Sequence, residues 1–244
     1  MTALAPSPNH NERKGTGPDI LLLHYTGMTD GMAALARLCD PADPVPVSCH
    51  YLVMEDGEII QMVAETRRAW HAGAGAWGGR GDINSRSIGI EIVNPGHDWG
   101  YRPFPEAQME AVLALARDIV ARNGISPALV LGHSDTAPTR KRDPGELFPW
   151  EALAAQGLGL WVRPAPIQAG PLYRPGEEGP PIQAIQSLFA MLGFEITVTG
   201  VYDALTEAVV TAFQRHWRPE LVDGVADAST LKTLRDLLGS RPST

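Results

Sequence analysis

Ala128-Leu-Val-Leu-Gly-His133-Ser-Asp-Thr-Ala-Pro-Thr-Arg-Lys-Arg-Asp143-Pro-Gly145 is the stretch on which the reading of this chain turns. Its first half is a short apolar run closed by a histidine, which reads as a strand. Its second half is a polar loop in which Asp143 precedes a proline. Upstream, Ile20-Leu-Leu-Leu-His24 repeats the arrangement. Polar side chains at strand ends project into the crevice that α/β sheets use for ligands. Two imidazoles and one carboxylate are good ligands for Zn²⁺, and a three-ligand set leaves the fourth tetrahedral position open for water, as catalytic sites do. No HExxH-type helical pair joins two of them in sequence. Spacing alone therefore leaves a plainer alternative open: two loop histidines and an Asx-turn aspartate before Pro144.

Around these runs the pattern alternates. Residues 49–54, 59–63 and 87–93 also read as strands, and Glu55-Asp-Gly-Glu58 between two of them is a hairpin turn signal. Residues 105–123 read as an amphipathic helix. Pro105 suits its first turn, Met109, Val112, Leu113, Ala116, Ile119 and Val120 share a face, and Gly124 stops it. Strands alternating with helices, plus one hairpin, predict an α/β fold with a mixed β-sheet flanked by helices.

Composition changes after Trp161. Residues 163–181 are rich in proline and glycine and read as an extended linker. Three helical patterns follow, carried by Ile182, Ile185, Leu188, Phe189 and Leu192, then Leu205, Val209, Phe213 and Trp217, then Leu231, Leu234 and Leu238 behind a capping Ser229. The expected organisation is a loose arm over 1–18, a main domain over 19–161, a linker over 162–180 and a small all-α three-helix domain over 181–240. No internal repeat is evident.

With 244 residues, 44% hydrophobic and 20% charged, the chain can build a packed core. A net charge of −8 and the absence of a Lys/Arg stripe argue against nucleic acid as a partner. The first 14 residues show no apolar h-region and no lipobox cysteine, and no segment is long enough to cross a membrane. The expected location is cytoplasmic, or the cell envelope if a leader has been removed. Cys39 and Cys49 are too few for a disulfide framework and are expected to be reduced.

Five blocks occur in order: Leu-His24-Tyr-Thr-Gly, Ser-Cys-His50-Tyr-Leu-Val, Arg-Ala-Trp70-His-Ala-Gly, Asn84-Ser-Arg-Ser-Ile-Gly-Ile-Glu91-Ile-Val-Asn, and Gly-His133 through Asp143-Pro-Gly. Over roughly residues 19–155 the chain resembles the type 2 (AmpD/AmiD-like) zinc-dependent N-acetylmuramoyl-L-alanine amidases, whose fold is shared with peptidoglycan recognition proteins and T7-type lysozyme. Its C-terminal part, through Pro-Ile-Gln-Ala-Ile-Gln186, Thr206-Glu-Ala-Val-Val-Thr-Ala-Phe-Gln214 and Val-Asp223-Gly-Val, resembles the type 1 peptidoglycan-binding domain.

The resemblance implies Zn²⁺ held by His24, His133 and Asp143, with Glu91 and Lys141 as the other catalytic residues. It also implies peptidoglycan or a muropeptide as substrate; a monomer is expected. Glu91 would accept the proton of the attacking water and pass it to the leaving amine. Lys141 would stabilise the oxyanion, although Arg140 and Arg142 offer the same charge nearby. Tyr25, Trp70, His71, Trp77, Arg80 and Asn84 are candidate contacts to sugar or stem peptide. His50 reads as structural, or as a partner behind a ligand histidine. Asp135 either orients a ligand histidine or caps the turn. Gln186, Gln214, Asp223 and Trp217 are candidate wall contacts, with Phe213 and Trp217 placed in the core by their spacing. Two rivals stay open: a catalytically silent peptidoglycan-recognition module, which would need a broken ligand set, and a zinc hydrolase cutting within the stem peptide.

Overall fold

The structure, a computed structural model, describes residues 2–241. The chain begins with β1 (Ala3–Leu4), β2 (His10–Glu12), β3 (Ile20–Tyr25) and α1 (Gly31–Leu38). There follow β4 (Tyr51–Val53), β5 (Ile59–Gln61), β6 (Arg67–Ala69), the single turn α2 (Ile83–Arg86) and β7 (Ser87–Ile92). The long helix α3 (Glu106–Asn123) leads to β8 (Val130–Gly132), α4 (His133–Thr136) and α5 (Trp150–Ala154). The C-terminal part holds β9 (Leu172–Tyr173), α6 (Pro180–Leu192), α7 (Ala204–Trp217), β10 (Ala226–Asp227) and α8 (Ala228–Gly239). No helix among the described residues is long and apolar enough to cross a membrane.

Six strands form one mixed sheet in the order β1-β5-β4-β7-β3-β8. β3 runs parallel to β7 and β8, and β4 pairs antiparallel with β5. The Asp-Gly turn between β4 and β5 needs its glycine, since Gly57 has φ +88°. β3 is an unbroken apolar run because it is central and covered on both faces. Its alternate residues go opposite ways. Leu21 and Leu23 pack with Met109, Val112, Ala116 and Ile119 of α3, whereas Ile20 and Leu22 join a cluster on the other face. Helix α3 ends where expected, at Gly124 in the left-handed region (φ 64°).

The loose arm and the Ser229 cap need correction, and one helix was unforeseen. The N-terminal arm is not loose. β1 pairs with β5, β2 pairs with β6, and the guanidinium of Arg13 donates to the carbonyls of Glu65, Arg67, Asn84, Ser85 and Ser87. These are pairings across long sequence separations, which a local pattern does not carry. Helix α1 went unforeseen, though Asp30 supplies its N-cap by accepting from the amides of Met32 (2.7 Å) and Ala33 (3.2 Å). The linker is extended but pinned: β9 pairs with β10, and Ala165 accepts from Ser229 Oγ (2.6 Å) and donates to Thr233 Oγ1 (3.0 Å). Ser229 is thereby spent, and Asp227 caps α8 in its place.

The three C-terminal helices do not stand apart from the sheet. Ile182, Phe189, Phe213 and Trp217 share one apolar cluster with Ile20, Leu22, Trp77 and Leu131. Within these helices a repeat emerges that the sequence reading missed. Gln186 accepts from the amides of Thr199 and Gly200 and donates to Val201 O, and Gln214 does the same with Asp223, Gly224 and Val225. Asp203 and Asp227 then cap the following helices at Thr206 and Thr230. Both glutamines are fully buried braces and Trp217 is core, so none of the three is a wall contact.

Candidate metal centre and active site

The sheet register brings the chemistry together. His24 on β3 pairs with Glu91 on β7, and Leu23 pairs with Gly132, so His133 emerges beside them at the same end of β8. Asp143 returns to this point because its carbonyl accepts from the Ser134 amide (3.0 Å). His24 Nδ1 lies 3.0 Å from His133 Nδ1 and 2.9 Å from Asp143 Oδ2, and His133 Nδ1 lies 3.0 Å from the same oxygen. All three side chains are buried.

Their outer nitrogens settle where the protons sit. His133 Nε2 is 2.8 Å from the carbonyl of Ala72, which only accepts, so Nε2 carries the proton and Nδ1 a lone pair. Behind His24 runs a relay. Ser87 Oγ donates to Ile83 O (2.6 Å) and so accepts from His71 Nε2 (3.3 Å). His71 Nδ1 then accepts from His24 Nε2 (2.9 Å), which leaves the Nδ1 of His24 unprotonated as well. Burial drives His24 down to about 4 and His71 well below its usual range, so both rings are neutral.

Two lone pairs and a carboxylate oxygen thus converge with no proton between them, which is repulsive unless a cation takes their centre. Donors at about 2.0–2.1 Å from a tetrahedral ion would be roughly 3.3 Å apart, near the spacing found here. The donor set fits a divalent metal. The relay also explains the glycine of Ile88-Gly89-Ile90: a Cβ on Gly89 would lie 2.5 Å from His71 Nδ1.

A cleft of about 280 Å³ opens over this centre, lined among others by Tyr25, Arg37, His71, Glu91 and Lys141. Glu91 Oε2 is buried and has no hydrogen-bond partner among the described residues. Burial, reinforced by the charge of Asp143, pushes its pKa well above the usual range, against Lys141 and Arg37. The basic run is resolved by its partners. Arg140 donates to the carbonyls of Ala72 and Ala74, and Arg142 pairs with Asp98. Lys141 alone of the three has no such partner among the described residues.

The other candidates separate. Tyr25 lines the cleft, its hydroxyl 2.9 Å from His97 Nδ1. His71 also lines it, but its hydrogen bonds make it the support of His24 rather than a substrate contact. Trp77 is 3% exposed and packs edge-on against Phe194 beneath the C-terminal helices, so it is core. Asn84 is buried, its Oδ1 accepting from the amides of His71 and Ala72. Arg80 pairs with Asp19, and Trp70 Nε1 donates to Asn11 Oδ1, both off the cleft lining. Arg37, at the end of the unforeseen α1, does line the cleft, and sequence reasoning missed it. Asp135 both caps Gly132 and receives a bond from the C-terminal helices. Cys39 and Cys49 are free thiols.

His50 is structural. Fully buried, it accepts from the Gly89 amide (2.9 Å) through Nδ1 and donates to Arg67 O (3.1 Å), and burial lowers its pKa to about 3. The folded state therefore binds fewer protons than the unfolded chain between about pH 3 and the unfolded value of ~6.5, so this contribution to stability falls as pH drops through that window. The expected slope is up to about 1.4 kcal/mol per pH unit. Denaturant titrations from pH 7 to 4 should show a shallower slope for His50→Asn; an unchanged slope would refute the assignment.

Comparison with known proteins identifies the family. The sequence profile of the N-acetylmuramoyl-L-alanine amidase family matches residues 14–146, and that of a peptidoglycan binding domain matches residues 178–234. The N-acetylmuramoyl-L-alanine amidase AmiD of Escherichia coli is 38% identical over 231 residues, covering 90% of this chain and 82% of AmiD. The solved complex of E. coli AmiD with its substrate anhydro-N-acetylmuramic acid-L-Ala-D-gamma-Glu-L-Lys has a TM-score of 0.77 at 35% identity, covering 96% of this chain and 92% of that one. Pseudomonas aeruginosa AmpDh3, solved with anhydromuramic pentapeptide, has a TM-score of 0.76 at 30% identity, with 94% of each chain covered. The amidase profile spans His24, Glu91, His133 and Asp143 together, and AmiD is similar from the sheet through the C-terminal helices: the chain belongs to the N-acetylmuramoyl-L-alanine amidase family.

Proposed function

We propose that this chain is a zinc hydrolase that cuts the amide between the lactyl group of N-acetylmuramic acid and L-alanine of the stem peptide. What carries the reading is one arrangement: three unprotonated donors of His24, His133 and Asp143 facing a Glu91 oxygen without a partner. Zinc, when bound, lowers the pKa of water and polarises a carbonyl. Around it, the protein's own groups divide the work. The Glu91 carboxylate takes the proton of the water that attacks the amide carbon, and hands that proton to the alanine nitrogen as the carbon–nitrogen bond breaks. The Lys141 ammonium faces the oxygen on which negative charge develops. His71 and the Ala72 carbonyl keep the two ligand rings in the tautomer and orientation that metal binding needs. Arg37, whose Nε pairs with Asp43 at 3.4 Å, lines the cleft and offers its guanidinium to a carboxylate of the stem peptide.

The C-terminal helices supply wall affinity and raise the local substrate concentration. With them, intact peptidoglycan in the envelope is the proposed target, and soluble anhydromuropeptides, which AmiD and AmpDh3 hold in their solved complexes, are small substrates of the same centre. Mass spectrometry of products from sacculi and from purified anhydromuropeptides tests the reading. Expected products are a stem peptide with a free L-alanine amine and a muramic acid with a free lactyl carboxylate. Fragments cut between two amino acids of the stem would overturn it.

A further inference from the structure

Helix α7 of the C-terminal part reaches the back of the metal centre. His216 is 2% exposed, and its Nδ1 lies 2.7 Å from Oδ2 of Asp135, which is itself fully buried. The carboxylate only accepts, so Nδ1–H donates. The same Asp135 oxygen accepts from the Gly132 amide at 2.7 Å, one residue before His133. The imidazole is clamped in place: it stacks on Trp150 of the sheet domain at 3.6 Å and 21°, and on Trp217 of its own helix at 3.6 Å and 7°. Gly132 sits close against the loop of Asp143: a Cβ there would lie 2.9 Å from Pro144 Cδ. A second pair runs alongside: Arg215 Nε faces Glu146 at 3.5 Å, Glu146 pairs with His97 at 3.1 Å, and His97 meets the hydroxyl of the cleft residue Tyr25.

We infer that His216 is a positioning residue for the metal ligand His133, acting through Asp135 and the Gly132 amide, so that the wall-binding helices complete the catalytic centre as well as holding substrate. The inference rests on the reading of His133 as a ligand. Its physical basis is the cost of leaving a buried carboxylate short of a donor. Without His216 the Asp135 carboxylate keeps only the Gly132 amide, because its Oδ1 already lacks a partner among the described residues, so the loss falls on the turn that carries His133. A charged hydrogen bond of this length is short for N–H···O and among the stronger ones in proteins.

The test compares His216→Leu with His216→Asn in the full-length zinc enzyme. The two side chains are similar in size and both lose the stacked ring, but asparagine keeps an N–H donor near the Nδ1 position. Three readouts are taken: zinc affinity by chelator competition, kcat and KM on a soluble anhydromuropeptide, and hydrogen exchange of the Gly132 amide. The leucine variant is expected to bind zinc about 10–100-fold more weakly, as loss of a partner behind a ligand does, with kcat lowered, KM little changed and the Gly132 amide exchanging faster. Asparagine is expected to stay within about threefold of wild type. The use of a small substrate separates this from wall tethering, which it does not need. Equal zinc affinity in leucine and wild type, or equal losses in leucine and asparagine, would overturn the inference. Should the leucine variant not fold, a tenfold or greater loss of zinc affinity in asparagine does the same. If wild type itself binds no zinc, or His133→Ala binds it as well, the ligand reading fails instead.

Discussion

Glu91→Gln is expected to keep zinc at wild-type stoichiometry and to lower kcat by about 10²–10⁴, the range that a positioned general acid–base group supplies. Glutamine preserves the shape of the side chain and removes its ability to accept a proton. The structure gives reasons to expect a large effect. Glu91 sits in register with His24 on the neighbouring strand, so it faces the same cleft at the depth of the metal centre. Its Oε2 is buried without a partner, a costly arrangement that folding alone does not reward and that a reacting water would relieve. Burial and Asp143 hold its pKa well above the ordinary carboxylate range, a perturbation of the kind that clusters at functional sites. Metal analysis of the purified variant, with steady-state rates on one muropeptide, checks both halves. A zinc-loaded Glu91→Gln enzyme turning over at the wild-type rate would remove Glu91 from the chemistry.

The second large effect is on the metal itself. Asp143→Ala removes the one anionic donor and leaves two neutral imidazoles, so zinc content after dialysis against a chelator is expected to fall from near one equivalent to near zero, and turnover with it. Stability offers an independent readout. A ligand that binds only the folded state at a hundredfold excess over its Kd adds about 2.7 kcal/mol. For a chain of this size that is a Tm rise of roughly 5–10 °C. Wild type should show this rise on adding zinc, and Asp143→Ala should not. Calorimetry with and without zinc decides it: a variant that still gains stability from zinc holds the metal by other groups.

How much of this was legible beforehand differs between elements. β3 was readable because a central parallel strand is apolar along most of its length, and β8, at the sheet edge, because its short buried apolar run also leads into a histidine. α3 was readable because a helix on a sheet repeats its apolar face and stops at a glycine. The arm at 1–18 was misread because Arg13 and β2 find their partners 52 to 72 residues away. Trp77 and Asn84 were taken for substrate contacts because aromatic and amide side chains in a glycine-rich loop look alike whether they face a groove or a core. Only Phe194 and the His71 and Ala72 amides decide their use. Lys141 was singled out by the resemblance alone, since Arg140 and Arg142 carry the same charge; that both arginines are engaged elsewhere is a tertiary fact.

By itself, the order of residues determined the mixed sheet and the three C-terminal helices, because apolar periodicity is a local property of the chain, and its five ordered blocks pointed by resemblance to the residues that meet at the candidate metal centre. The tertiary structure alone decided the rest. It set the proton on each imidazole, left Glu91 without a partner, turned two glutamines into internal braces, and packed α7 against the turn that bears His133. Those outcomes depend on which groups lie within about 3 Å of one another, and folding assigns such neighbours across separations that no local pattern records.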